Sequence, residues 1–544
     1  MRYFAFGLMV FLTVTFGALG FFLGAAWWWG LALPLPLTLV GIYDLLQREH
    51  NVIRSYPILA HIRFMAEAVR PQIRQYFVES DTDGKPFDHN ERKIIHQRAR
   101  GITDAKPFGT QLDVYGDEYE WINHSIAAKV DPDPDAMPRI DIGGPQCERR
   151  YSASVFNISA MSFGALGSHA IMALNKGAKL GNFAHDTGEG GLSPYHQKHG
   201  GDLIWEIGSG YFGCRNDDGT FNADMFREAA QSDQVKMVEL KLSQGAKPGH
   251  GGLLPAAKVT PEIAATRKVP VHQACLSPSS HSAFSTPIEL LEFIARMRDL
   301  SGGKPAGFKL CIGHRWEFLA ICKAMRETGI LPDFIVIDGA EGGTGAAPLE
   351  LSDGLGTPLR EGLLFAHNAL VGADLRDNIR IGASGKAVTG FKIAVNLALG
   401  ADWCNSARGF MFSLGCIQSQ SCHTGRCPTG ITTMDPYRQR ALIVEDKANH
   451  VHRFHRHTVR AVGMVAAAAG LDHPSELKPN HVSLRISSDE IRTAAEFYDF
   501  LEPGELLEGT ERPAYRRYWD MARADSFAPA LGGVSAAAKT GSAA

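Results

Sequence analysis

Apolar and polar positions alternate along this chain in three successive patterns, and each predicts a different kind of structure. From Tyr3 to Tyr43 no charged residue occurs, a run of about 41 positions where about 20 suffice for one membrane-spanning helix. Two passes are expected. Their hinge falls between Gly24 and Pro36, where Trp27, Trp28 and Trp29 suit a water–lipid boundary and Pro34 and Pro36 perturb a helix. Arg2 precedes the run and Arg48 follows it, so the positive-inside tendency places both ends, and the body that follows, on the cytoplasmic side of the inner membrane. A cleaved signal peptide, with Gly24-Ala25-Ala26 as its cleavage region, is the rival reading, and the second apolar run speaks against it. A transmembrane hairpin is therefore assigned to residues 1–48.

The second pattern, residues 49–150, mixes charge with scattered apolar positions. Helical spacing over His61 to Phe77 (Ile62, Met65, Ala66, Val69, Ile73, Phe77) is interrupted at Pro71. Asp81 to Asp88 and Asp131 to Pro138, rich in Asp, Pro and Gly, read as turns or linkers. No catalytic constellation stands out, and a membrane-proximal cap is expected.

From Val155 the pattern becomes short apolar runs ending in Gly-rich loops and alternating with amphipathic segments. Thr286-Pro287-Ile288-Glu289 is a capping box with Pro at the first helical position, after which Leu290, Leu291, Ile294 and Met297 line one face until Gly302. A strand follows at Gly307 to Ile312, a helix around Trp316 to Glu327, and a strand at Asp333 to Asp338. The series continues with a helix around Glu361 to Leu370, a strand at Ile379 to Ile381, a helix at Val388 to Leu399 and a strand at Trp403 to Ser406. This alternation implies a parallel sheet with helices outside it, and the fold expected for residues 151–475 is a TIM-type (β/α)8 barrel rather than an open sheet. In such a barrel, chemistry sits where loops leave the C-terminal ends of strands. Residues 476–527 are expected as a helical extension and 528–544, rich in Ala, Gly and Ser, as a disordered tail.

Glycines mark those loops. Asp338 to Gly345 (with Gly342, Gly343, Thr344 and Gly345), Ala383-Ser384-Gly385-Lys386 and Ser406-Ala407-Arg408-Gly409 follow three successive strands. Barrels that hold a phosphorylated cofactor grip the phosphate with the last strand-to-helix loops and a helix N-terminus. No G-x-G-x-x-G follows a strand, so no nicotinamide dinucleotide site is inferred.

Composition removes some functions. A formal net charge of -3 over 544 residues gives no basic surface for nucleic acid. Nine unevenly spaced cysteines do not form a secreted disulfide framework. Three of them, Cys416, Cys422 and Cys427, fall in CIQSQSCHTGRCPTGI at C-x5-C-x4-C spacing. Thiolates are soft ligands suited to iron, and a four-iron cluster normally takes four of them. A compact set of three points to a three-iron cluster or to a fourth ligand from elsewhere; zinc with His423, or simply three buried thiols, are the competing readings.

Five stretches in order, Ser159-Ala160-Met161-Ser162-Phe163-Gly164-Ala165-Leu166, Thr187 to Gly191, Lys241 to Gly249, Asp338 to Ala346 and the Cys416 stretch, resemble the FMN-binding synthase domain of glutamate synthase, over about Ser152 to Leu471. The resemblance implies a barrel holding FMN beside a [3Fe-4S] cluster on Cys416, Cys422 and Cys427. It also implies reduction of 2-iminoglutarate, made from 2-oxoglutarate and ammonia, to glutamate. Ser159, Ala160, Met161, Ser162, the Gly342–Gly345 loop, Gly385, Arg408 and Gly409 are the expected flavin contacts, with Lys309 a candidate near the flavin N1 edge. Lys241, Gln244 and Lys247 are candidates for the two substrate carboxylates, and Glu189 resembles the family's flavin-facing glutamate.

The sequence also departs from that family. The charge-free apolar run stands before the barrel in place of the family's glutaminase domain, so glutamine hydrolysis is not expected, nor is the family's C-terminal Gly-repeat region, and His250 stands where the large enzymes have Glu after Lys-Pro-Gly. Ammonia is expected to come free or from a partner, and electrons from a ferredoxin, a flavoprotein or a membrane carrier. Two alternatives keep the fold: an amine or amino-acid dehydrogenase running oxidatively into the membrane, and a non-catalytic membrane redox subunit. His450, His452, His455 and His457 are read as part of a solvated helix rather than a metal tract.

Overall fold

The computed structural model describes residues 2–131, 133 and 137–530, and the chain forms two compact units, Met1–Asn90 and Glu91–Ala544. The expected tail beyond residue 530 lies outside the described residues.

In the first unit, helix α1 (Phe4–Leu23) and helix α2 (Pro34–Leu46) are separated by a 3-10 turn, Ala25–Leu31. Phe4–Leu23 and the segment Ala25–Leu46 are each long and apolar enough to cross a membrane. Pro34 does not break a helix, contrary to the sequence expectation. It starts one, at the first position, where its missing N–H leaves no partner unsatisfied. Gly41 lets the Phe6 ring lie directly on the α2 backbone, in space a Cβ would occupy, and Thr13 and Thr38 share a hydroxyl–hydroxyl hydrogen bond of 2.9 Å. Asp44, fully buried, accepts the Ile58 amide (2.8 Å) and pairs with His61 Nε2 (2.8 Å). The helix Ala60–Ile73 carries Pro71 inside its last turn and then widens into a π turn, Arg74–Val78, so the expected interruption is deferred by a turn.

The second unit is built on eight parallel strands: β1 (Phe156–Ile158), β2 (His185–Asp186), β3 (Leu203–Ile207), β4 (Val235–Lys241), β5 (Ala306–Leu310), β6 (Phe334–Asp338), β7 (Arg380–Ser384) and β8 (Trp403–Ser406). They close into a barrel, with Cys404, Asn405 and Ser406 of β8 in register with Phe156, Asn157 and Ile158 of β1. The capping box at Thr286 forms as expected and opens the helix Pro287–Leu300. The helices Arg315–Thr328, Leu359–Gly372 and Gly390–Ala398 then alternate with β5 to β8.

The barrel interior is layered. A hairpin of Arg139–Ile142 and Tyr151–Ser154 plugs the N-terminal end, where Ile142, Tyr151 and Ala153 pack on Ile204, Met237, Phe334, Val336 and Trp403. Truncating Phe334 or Trp403 to alanine costs about 3–5 kcal/mol by the usual measure for buried aromatics. Above this plug the interior turns polar, and that layer leads up to the C-terminal mouth.

Two expectations need correcting here. Residues 476–527 are not purely helical: Val482–Arg485 and Ile491–Thr493 join Glu120–Ile122 in a three-stranded antiparallel sheet. The histidine tract lies on the helix Val444–Ala468, but His455 is a core residue. It is fully buried, stacked on Phe183 at 3.8 Å, and its Nε2 meets Ser154 Oγ (2.9 Å) and the Phe156 carbonyl (3.0 Å).

Candidate active site

Strand ends bring the charged side chains of this chain to the C-terminal mouth of the barrel. Lys241 closes β4, and its ammonium lies 2.8 Å from Glu189 Oε1 in the loop after β2. Gly208 and Gly252 leave the room that the Glu189 side chain fills. Burial pushes the Glu189 carboxyl upward, but the Lys241 ammonium, with Lys247 and Arg267 behind it, outweighs burial and holds it below the usual carboxylate range. Lys247 is buried, 3% exposed, and forms no ion pair among the described residues. Its pKa is lowered, chiefly by burial, with Glu189 opposing and Lys241 reinforcing that effect. Lys241 and Lys247 thus both act on the Glu189 carboxylate at the mouth. Gln244 is half-buried and its carbonyl accepts the Lys247 amide at 3.4 Å. His250 is exposed.

The loop carrying these lysines is locked to its neighbour. The Gly245 amide donates to Asp338 Oδ2 at 2.8 Å, and a Cβ at Gly245 would overlap the Gly339 carbonyl. Only glycine permits this approach of the loops after β4 and β6. His281, buried, sits under Lys241, with Nε2 2.9 Å from its carbonyl oxygen and Nδ1 3.1 Å from the Tyr211 hydroxyl. The sequence reading did not single out His281, and its role arises from contacts some 40 to 70 positions away.

The glycine loops stand at the ends of β6, β7 and β8. Arg408 Nη2 donates to the Glu341 carbonyl at 2.6 Å, joining the loops after β8 and β6. Ser159 Oγ lies 3.3 Å from Ser384 Oγ, and the Ser159 amide donates to Ser406, joining the tops of β1, β7 and β8. Among the described residues, the amides of Gly343, Thr344, Gly345 and Gly385 donate to no backbone acceptor, and a Cβ at Gly345 would meet nothing within 4 Å. Gly409 is buried against Ser406 and Val388. Met161 is buried, with its amide on the Asp186 carbonyl, while Ala160 and Ser162 are half-buried beside it. Arg267, also missed in the sequence, donates to the Phe163 carbonyl (3.2 Å) and reaches Ser162 Oγ (3.4 Å).

Lys309 of β5 is in register with Lys241 of β4, but its ammonium meets a different set of carboxylates. It is buried in the barrel interior against Glu206, with Glu239 at 3.4 Å and Asp186 at 3.9 Å. One ammonium cannot neutralise three carboxylates away from water. Burial, with Asp186 and Asp338 nearby, pushes the Glu239 carboxyl well above the usual carboxylate range, while Lys241 opposes it. An acidic residue facing inward from an apolar strand was the available sequence signal for this group.

The three cysteines follow the short helix Arg408–Ser413. They carry free thiols; Cys416 and Cys422 are half-buried and Cys427 is buried. Their loop is held against the β1 loop by the Gly167 amide donating to the Ile431 carbonyl at 2.8 Å. Burial raises the Cys427 thiol, but hydrogen bonds from Thr429 and Thr432 outweigh it and bring it to about 7, whereas burial pushes Cys416 up to about 12. A polar cavity of about 700 Å3 lies at the other end of the barrel, lined by Arg139, Arg376, Arg380 and Asp402; that end of such a barrel houses stability rather than chemistry.

A closed parallel barrel with converging charges and glycine loops at its C-terminal mouth defines an α/β-barrel protein with an enzyme-like site. A family model described as "Conserved region in glutamate synthase" matches residues 122–472. The glutamate synthase large subunit-like protein YerD of Bacillus subtilis is 38% identical over 496 residues, 84% of this chain and 94% of that protein. The archaeal-type glutamate synthase (NADPH) of Thermotoga neapolitana is 31% identical over 328 residues, 60% of this chain and 61% of that one. Among solved structures, flavocytochrome b2 with pyruvate bound is 15% identical, covers 87% of this chain and 95% of its own, and has a TM-score of 0.40, too distant to carry a functional argument. The chain belongs to the glutamate synthase family.

Proposed function

We propose that this protein is an oxidoreductase of the glutamate synthase type, dependent on FMN and a [3Fe-4S] cluster, that reduces 2-iminoglutarate or a related imine to the amino acid. The observation that carries the reading is the β1 loop, residues 159–167. It is bonded through Gly167 to the cysteine loop on one side, and on the other it packs against the loop that carries Glu189, where a Cβ at Gly188 would meet the Ser162 and Met161 amides. A one-electron site and a substrate site would share that wall.

The residues suit both groups. The uncommitted amides of Gly343, Thr344, Gly345 and Gly385 are a cradle for a phosphate, with Arg408 fixing the loops around it. Three thiolates on one loop suit the soft-ligand chemistry of an iron–sulfur cluster. When bound, the cluster supplies one-electron transfer and FMN the conversion to two-electron chemistry.

The protein's own residues bind and orient the substrate. Lys247, buried and without an ion-pair partner among the described residues, takes one carboxylate, and Lys241 takes the second in competition with Glu189, with Gln244 as a hydrogen-bonding neighbour. The Glu189 carboxylate favours the protonated form of the imine, whose carbon is more electrophilic than that of the neutral imine. Electrons come from an external carrier such as a ferredoxin or flavoprotein. The two apolar helices anchor the protein to the cytoplasmic membrane with the barrel on the cytoplasmic side. They also favour a second reading, the same site run oxidatively as an amino-acid dehydrogenase that feeds a membrane carrier.

The cofactor assignment is tested by anaerobic purification with absorbance and EPR spectroscopy. FMN and a three-iron signal are expected, the signal being lost in C416S, C422S and C427S and kept in C322S, which alters a buried thiol on the helix Arg315–Thr328. Loss of the signal in C322S alone would contradict the assignment.

A further inference from the structure

Lys258 is 5% exposed at the end of the 3-10 turn Ala256–Lys258. Its ammonium donates to the Cys422 carbonyl at 2.9 Å and to the Ala165 carbonyl at 3.4 Å. Among the described residues it has no carboxylate partner. A buried ammonium answered only by carbonyl dipoles is costly, and such charges are normally paired. Burial lowers its pKa, and the Cys422 and Cys427 sulfurs nearby oppose that effect. The two carbonyls belong to two different loops, the cysteine loop and the β1 loop.

We infer that Lys258 is the counter-cation of the iron–sulfur site, and that it raises the reduction potential of that site while fastening the cysteine loop to the β1 loop. The inference rests on the cluster reading above. Cysteine thiolates give the site net negative charge, and each added electron increases it. A fixed cation in a low-dielectric surrounding stabilises the reduced form more than the oxidised one, so it shifts the potential upward. Lys258 is a positioning residue: it touches neither substrate nor flavin. The loops are also held independently, by the Gly167–Ile431 bond and by Arg267 on the Phe163 carbonyl. Removing the charge therefore need not unfold the region.

The test is an EPR-monitored redox titration of full-length protein purified anaerobically, comparing wild type with K258M and K258R. K258M is expected to make the site roughly tenfold harder to reduce, a downward shift of about 59 mV for a one-electron couple, while K258R stays near wild type. The flavin potential serves as the internal reference. Loss of the cluster in K258M, with flavin retained and K258R intact, supports the same counter-cation role. If K258M does not fold, K258Q, which keeps an N–H donor for the carbonyls, is titrated in its place. A neutral variant with full cluster content and the wild-type potential overturns the inference. A wild-type protein that folds and binds flavin but shows no cluster overturns the cluster reading instead, and the two failures are distinct.

Discussion

Lys241 Nζ and Glu189 Oε1, 2.8 Å apart, form an ion pair across the barrel mouth between the end of β4 and the loop after β2. Both side chains are largely buried, 9% and 17% exposed. Removing one partner of such a pair strands the other charge and costs about 3–5 kcal/mol. K241M is therefore expected to lower the unfolding midpoint markedly and to weaken 2-oxoglutarate binding, with kcat/KM down by about 100-fold or more. The double variant K241M/E189Q should recover most of the stability and none of the activity. Thermal unfolding together with steady-state kinetics checks both, and a double variant that regains turnover would exclude Lys241 from substrate binding.

The contact of Gly245 with the Gly339 carbonyl makes a second prediction. G245A should separate the loops after β4 and β6 and break the Gly245 to Asp338 bond, at about 3 kcal/mol, the upper end of overpacking costs. G345A, where a Cβ meets open space, should leave the stability unchanged. Unfolding midpoints of the two variants decide this, and equal midpoints would sink the close-approach argument.

Burial holds His455 neutral, its pKa pushed down to about 3, with His452 nearby acting in the same direction. Unfolded, a histidine takes a proton near its ordinary pKa of about 6.5. Stability from keeping it neutral is thus full above about 6.5 and lost as pH falls toward 3, at about 1.4 kcal/mol per pH unit for each such histidine. H455Q cannot titrate, so its stability should fall less steeply between about pH 6.5 and pH 5 than that of wild type. Equal slopes in chemical denaturation would show that His455 is not the group responsible.

The helices α1 and α2 predict that the chain resists extraction from membranes by alkaline carbonate and keeps residues 1–48 when its mass is measured after detergent extraction. Release into the supernatant would remove the anchor, and a mass lacking those residues would favour a cleaved signal peptide.

Much of this architecture was legible because its determinants are local. The capping box at Thr286 and the run Phe334–Asp338 announce their elements within a few residues, and Trp403–Ser406 has the bounds the pattern predicts. β2, only His185 and Asp186, was hidden because its inward residue is a carboxylate and its outward one a buried histidine. β3 and β4 were masked in the same way by Glu206 and Glu239. The sheet joining Glu120–Ile122 to Val482–Arg485 pairs residues some 360 positions apart, which no local pattern reveals. The site follows the same division. Cys416, Cys422 and Cys427 are close in sequence and were visible, whereas Lys258 acquires its place through carbonyls 93 and 164 residues away.

The most direct test of the proposed chemistry is to reduce the anaerobically purified full-length protein and add 2-oxoglutarate with ammonium while following flavin absorbance and glutamate. Flavin reoxidation with one glutamate formed per two electrons is expected. A protein that holds both cofactors yet stays reduced and forms no glutamate would contradict the glutamate synthase reaction assigned to this site.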